Sequence, residues 1–332
     1  MKNRNASFEL LRIVCMFMIV LYHVFWIPYH PTVIASAGYR TMMFPLHIAV
    51  VCFVLISGYF GINFSFKKLI LFFSQILFYN VLCYFGSSLY LDSFNLKDFA
   101  ISFLPLAHNQ DLWFIRTYMI LFLISPILNR YLEFTPSNSF KTMCVMLAFI
   151  SVYLGIKSDD VTLIGGKNIV NFIFIYFLGH GLKKGCFFPT LTLKTWGMLW
   201  LAFNILECTV FYLSFGHGLA DKISCYGWSY NAPLLIINAI LFFMVFTKLK
   251  VDSSFVTSMA CSVFPIYLIH SNQNVQNILW PIIKNVSVGN LLISNLIITV
   301  LIMVICILLD RLLAPCYHSI ANCLINRINL KA

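Results

Sequence analysis

Long apolar runs, separated by short stretches that hold nearly all the charge, set the pattern of this chain. Ten runs are read, at 8–27, 43–62, 69–91, 112–131, 142–156, 169–182, 195–215, 231–247, 259–280 and 289–313. A helix crossing hydrocarbon needs roughly 20 apolar residues. The pattern therefore predicts an all-α polytopic membrane protein with about ten transmembrane helices, the fifth and sixth short. No repeat or low-complexity segment stands out, and residues 1–332 read as a single transmembrane domain.

Composition sharpens this picture. Of 332 residues, 61% are hydrophobic, 17% aromatic and only 10% charged. Soluble domains carry about 25% charged residues, so a soluble enzyme, a disordered chain and a nucleic-acid-binding domain are set aside. The net charge of +11 then follows from topology, because cytoplasmic loops of membrane proteins accumulate Lys and Arg. With the N-terminus inside, Arg40, Lys97, Lys157, Lys167, Lys222 and Lys284 fall outside, Arg12 and Arg116 sit within runs, and the other fourteen of 22 Lys and Arg fall inside. Both termini are thus expected in the cytoplasm. The first run, although preceded by Lys2 and Arg4, is span-length and carries Glu9 and Arg12, so it reads as a retained span rather than a signal peptide. The 11 cysteines form no CxxC or Cys/His cluster, and no metal site is expected.

Ionisable side chains at bilayer depth are costly and mark the place to look for function. Arg12 and His23 lie eleven positions apart. Eleven steps of a helix return to within about 20° of the starting direction after a rise of roughly 16 Å. The two side chains therefore share a face, with Glu9 one turn before Arg12 and able to pair with it. A guanidinium suits phosphate recognition and an imidazole suits proton transfer. A coenzyme A thioester, with phosphates at one end and a reactive carbonyl at the end of a long arm, has the shape to touch both. The plainer alternative is a topology-fixing ion pair and a packed histidine.

Glu9-Leu10-Leu11-Arg12 followed by an apolar stretch and Tyr22-His23 resembles the first span of the acyltransferase-3 family of membrane-bound acyltransferases. Further resemblances follow in order: Ser57-Gly58-Tyr59-Phe60 closing the second run, Leu112-Trp113-Phe114 opening a run that reaches Pro126, and Tyr267-Leu268-Ile269-His270. Ser271 stands after His270 where an acidic residue or proline is often found. The resemblance implies an integral membrane O-acyltransferase of a bacterial inner membrane, with acetyl-CoA as donor co-substrate. Its implied acceptor is a hydroxyl of a cell-surface or lipid-linked carbohydrate, such as a capsule, O-antigen or exopolysaccharide unit.

On this reading His23 is the general base, with a covalent acyl-histidine as the competing route, and Arg116 stabilises the oxyanion. Arg12, Glu9, Lys67, Lys68 and Ser57 are assigned to the donor; His270, Glu207 and Trp113 to the acceptor. Depth supports the grouping. His23 comes out roughly 22 Å from the inner edge of a core about 30 Å thick. His270 and Glu207 come out at roughly 16–18 Å, and Arg116 at roughly 6 Å from the outer edge. Each has a plainer role: snorkelling for Arg116, interhelical hydrogen bonding for Glu207 and His270, topology for Lys67 and Lys68, close helix packing for Ser57-Gly58. His47, His108 and His180 receive no assignment. Partners other than the carbohydrate are membrane lipids, and no nucleic acid is expected. The rival from another class is a transporter or flippase of a lipid-linked glycan or other solute, in which buried Arg, Glu and His line a pathway. No pair of Gly/Pro-broken runs in matching halves favours it.

Overall fold

A computed structural model describes residues 5–108, 112–155, 164–286 and 291–328. Lys2, Arg4, Lys157 and Lys331 of the charge count, and the side chain of His108, lie outside the described residues. The chain opens with α1 (Ala6–Ile34) and α2 (Ala37–Met43), and a tight helical turn, Phe44–His47, leads into α3 (Ile48–Phe60). Next come α4 (Phe66–Tyr90), α5 (Leu96–Ser102), α6 (Pro105–His108) and α7 (Trp113–Phe134). α8 (Ser137–Ala148) continues through a wider turn, Phe149–Leu154, before α9 (Ile169–Lys184) and α10 (Leu193–Ser214). α11 (Leu219–Tyr226), α12 (Pro233–Lys248) and α13 (Ser254–Ala260) follow. The last three are α14 (Val263–His270), α15 (Gln273–Val286) and α16 (Leu291–Arg327). No strand occurs among the described residues. Several helix starts are set by side chains that accept first-turn N–H groups: Ser36, Ser65, Asn95, Asn168 and Thr192.

Over its described residues each of the ten predicted runs falls largely on helix; residues 156 and 289–290 lie outside the described residues. Among the described residues six stretches are long and apolar enough to cross a membrane: Ala6–His30, Ala37–Phe60, Phe66–Tyr90, Ser137–Leu154, Leu193–Ser214 and Leu291–Arg327. Ser254–His270 and Gln273–Val286 meet at 84° and make a seventh if taken together. α9 and α12 have 16 residues each, roughly 24 Å of helix, and α7 is diluted by Arg116, Arg130 and Glu133. On length and apolarity the count is therefore six or seven, where the apolar runs alone give ten. The outward faces are of the kind lipid requires: Val145, Leu206, Leu213, Leu308 and Leu312 are between 61% and 73% exposed.

The described residues fall into two compact units. The first holds the chain through Ile62 together with Thr117–Thr257. In it α3 packs against α1, α9 and α12. The α3–α9 approach is backbone to backbone: a Cβ on Gly58 would overlap the Tyr176 carbonyl, and one on Gly179 the Leu55 carbonyl. α3 stops at Gly61, whose φ of +75° suits glycine. The freed Ile62 N–H donates to Tyr176 Oη at 2.9 Å, and its carbonyl accepts from Asn129 Nδ2 at 2.8 Å.

α1 and α3 run antiparallel and are pinned by rings at both ends. Phe8 packs on Tyr59 and Phe60 with centroids 5.1 and 4.8 Å apart, and Tyr22 meets His47 edge-on at 4.4 Å.

The second unit comprises Asn63–Arg116 and the chain from Ser258. Here α4 packs against α14, α15 and α16. Its polar centre is the buried Asp310 of α16, which accepts from Tyr79 Oη at 2.8 Å, Ser262 Oγ at 2.6 Å and Tyr317 Oη at 3.2 Å.

The two kinds of glycine site predict opposite outcomes. Gly58→Ala should destabilise by about 1–3 kcal/mol through overpacking, seen as a lower melting temperature of the purified protein. In α4, Gly86→Ala places a Cβ where no atom lies within 4 Å and should be neutral or stabilising by up to about 1 kcal/mol.

Candidate functional site

The register inferred for Arg12 and His23 rests on an unbroken helix, and α1 provides it: its only non-helical residue is Tyr29, beyond His23. Arg12 Nη1 donates to Glu9 Oε1 at 2.8 Å, as the three-residue spacing allows. The guanidinium side chain is 36% exposed and the Glu9 side chain 6%. Glu9 Oε2 is buried without a hydrogen-bond partner. The acid is thus sheathed while the cation keeps a free side, the disposition an anion-recognising arginine needs. Met16 and Ile19, which share the stripe between Arg12 and His23, are 3% and 8% exposed, so this face of α1 is covered by protein. His23 itself is half-buried, its ring 5.8 Å from that of Tyr22.

Ser57 and Glu207 also belong to the first unit. Ser57 Oγ bonds Phe53 O at 3.0 Å and lies 3.1 Å from Tyr118 Oη, which turns its hydroxyl along α3 and toward α7. Glu207 is buried between α10 and α12: its Oε2 accepts from Asn238 Nδ2 at 2.6 Å. Asn238 in turn exchanges 3.1 Å bonds with Asn204 and accepts from Trp200 Nε1 at 3.0 Å.

The remaining sequence-predicted residues lie in the second unit. Lys67 and Lys68 open α4, and Lys68 Nζ donates to Asn63 O at 2.7 Å. Trp113 and the exposed Arg116 open α7. His270 is wholly buried at the end of α14, Nδ1 facing Ile266 O at 2.6 Å and Nε2 facing Ser271 Oγ at 3.2 Å. Its imidazole is thus occupied by its own helix and its neighbour.

Two residues of evident chemical weight escape the sequence reading. Asp310 sits near the end of a long apolar run, where it reads as a boundary charge; only the fold shows three hydroxyls meeting on it. His47 ends the helical turn Phe44–His47, ten residues before Ser57 and within the same apolar run, and its significance depends on rings from distant segments, Trp228 and Tyr230. A surplus of aromatic residues is common to membrane sequences, so composition gives no signal for either.

The Asn238 network predicts a stability contrast. Asn238→Leu leaves Trp200, Asn204 and Glu207 without their shared partner and should destabilise by about 1–3 kcal/mol or more. Glu207→Gln keeps an acceptor for Asn238 and should melt close to the unaltered protein.

Neither a curated protein nor a solved structure gives a significant match to the chain. A family model does: that of the acyltransferase domain of the acyltransferase-3 group matches residues 5–311 of 332. The matched stretch takes in the paired Glu9–Arg12, His23, the Ser-Gly close approach and the buried His270, and over nearly its whole length the chain belongs to the acyltransferase-3 family of membrane acyltransferases.

Proposed function

We propose that this acyltransferase moves an acetyl or similarly small acyl group from cytoplasmic acetyl-CoA to a hydroxyl of a surface or lipid-linked carbohydrate. The single observation that carries the reading is the α1 stripe: a glutamate-paired, half-exposed Arg12 and a half-buried His23 on one protein-covered face. Their separation, roughly 16 Å along an uninterrupted helix, suits a donor with phosphates at one end and a thioester at the other. In this scheme Arg12 meets a phosphate of the nucleotide end. His23 takes the acceptor's hydroxyl proton as its oxygen attacks the thioester carbonyl, and the carbon–sulfur bond breaks to release the CoA thiol, which receives the proton.

The same proposal keeps ten crossings with both termini in the cytoplasm of a bacterial inner membrane, since loop charge favours that arrangement. It also keeps Arg116 as oxyanion stabiliser, Lys67, Lys68 and Ser57 for the donor, and His270, Glu207 and Trp113 for the acceptor. These assignments rest on the sequence pattern and the family.

The test is purified protein with radiolabelled acetyl-CoA and a panel of candidate surface polysaccharides. Transfer of label from thioester to glycan separates acyl transfer from solute or glycan translocation, which leaves the thioester intact. His23→Ala should abolish transfer with the amount and elution of the protein unchanged; retained transfer removes His23 as the base. A charge-assisted hydrogen bond contributes about 1.5–3 kcal/mol, about 10- to 100-fold in affinity. Arg12→Ala should therefore raise the KM for acetyl-CoA by that factor. The KM for acetyl-pantetheine, which lacks the nucleotide phosphates, should barely change.

A further inference from the structure

Within the first unit, one turn of α1 beyond the middle of the membrane-length stretch, four aromatic rings gather around a histidine that the proposed chemistry does not use. His47 is 8% exposed, and neither Nδ1 nor Nε2 has a hydrogen-bond partner. Tyr22 stands edge-on to it at 4.4 Å, Trp228 at 5.0 Å, and Tyr230 lies tilted at 5.7 Å. Trp26 stacks on Tyr22 at 5.7 Å and reaches Trp228 at 5.5 Å. Trp228 Nε1 is buried and also has no partner. Tyr22, Trp26, Trp228 and Tyr230 are each only partly buried while His47 is sealed, so the rings are more accessible than the imidazole beneath them.

The cluster is held from outside as well as by its own contacts. Tyr230 N–H donates to Gly165 O at 3.0 Å, Asn171 Nδ2 donates to Tyr230 O at 3.2 Å, and Asn231 Nδ2 donates to Ser151 O at 2.7 Å. The segment bearing Trp228 and Tyr230 is therefore tied to α9 and to the turn after α8. A buried polar group left unpaired costs about 1–3 kcal/mol, and here two side chains with three unpaired nitrogens share one aromatic setting. Packing alone does not call for this, because phenylalanine would fill His47's place without that cost.

We infer that His47, Trp228, Trp26, Tyr22 and Tyr230 form a binding subsite for a sugar ring. The apolar face of a pyranose, with its axial C–H groups, matches an aromatic face, while its hydroxyls both donate and accept. An imidazole that must donate at one nitrogen and accept at the other, beside an indole N–H that only donates, complements such a ligand. A purely apolar ligand would leave the three nitrogens unpaired, and an anion would meet the negative faces of the aromatic rings. Tyr22 adjoins His23, so the subsite lies beside the proposed base. The ligand class rests on the proposed function, since the acceptor there is a carbohydrate; the geometry of the subsite does not.

The experiment uses the full chain in lipid nanodiscs, with no acetyl-CoA present, and saturation-transfer NMR. The probes are methyl glycosides of glucose, galactose, mannose, rhamnose and N-acetylglucosamine, with 1,6-hexanediol as the apolar reference. At least one glycoside should show saturation of its ring protons above hexanediol. That excess should fall at least threefold in His47→Phe and in Trp228→Phe, which keep ring bulk and remove the unpaired nitrogens. Should one variant fail to fold, the other decides. Absence of any excess in the unaltered protein, or an excess that persists in a folded variant, overturns the subsite. Because no donor is present, glycoside binding without label transfer would count against acyl transfer alone. Label transfer without such binding would count against the subsite alone.

Discussion

Polar groups taken out of water must find partners within the protein, and this requirement shapes every part of the structure that bears on function. A carboxylate or guanidinium inside a low-dielectric bundle costs several kcal/mol unless paired or hydrogen-bonded. The chain meets this in three ways. Glu9 is buried against Arg12, which keeps one side open. Glu207 is built into an amide network joining α10 to α12. Asp310 collects hydroxyl donors from Tyr79, Ser262 and Tyr317. Asp310 is a largely closed system, its hydrogen bonds spent on holding helices together, and Glu207 spends its Oε2 in the same way while its Oε1 is buried without a partner. Only the first leaves a cation with unspent donors.

Satisfied and unsatisfied groups thus separate structure from chemistry more sharply than residue type does. His270 and His47 are both fully or nearly fully buried histidines in tight helical settings. His270 has Ile266 O and Ser271 Oγ at its two nitrogens, so its imidazole orders the end of α14. His47 has neither. The same contrast applies to indoles: Trp200 Nε1 is bonded to Asn238, whereas Trp228 Nε1 is buried without a partner. Groups of the second kind are where a ligand with donors and acceptors gains most, because it removes a penalty already present in the folded protein.

The helical architecture was legible because hydrocarbon imposes run length, and each apolar run lies largely on helix over its described residues. The test of length and apolarity passes fewer helices, among the described residues, than the ten runs. α9 and α12 are only 16 residues long, and the 84° break between Ser254–His270 and Gln273–Val286 lies inside what reads as one run. A sequence window registers apolarity without direction and cannot see a bend. The Arg12–His23 register was legible because both lie on one helix, where angle follows from counting. Glu207 and His270 were visible as polar residues in apolar runs, but their partners come from other helices or from local backbone geometry. His47 went unassigned for the same reason, since the four rings around it, Tyr22, Trp26, Trp228 and Tyr230, belong to segments that only tertiary structure brings near.

Register between helices is what turns these separate features into one arrangement. Phe8 at one end of α1 meets Tyr59 and Phe60 at the end of α3, and Tyr22 meets His47 at its start. The intervening lengths, 14 residues on α1 and 12 on α3 by their numbers, correspond to roughly 21 and 18 Å, so the two clamps are compatible with nearly straight antiparallel helices. α3 cannot slide to relax them, because Gly58 and Gly179 bring it against the α9 backbone with no side chain between. That contact gives the Ser57-Gly58 motif a physical role: glycine permits the approach, and Ser57 bonds the Phe53 carbonyl and meets Tyr118 without thickening the interface. A shift of one residue at this contact would rotate α3 by about 100° and carry His47 off the face that meets Tyr22. The close packing at one end of α3 therefore fixes, through a rigid helix, the ring cluster beside His23 at the other.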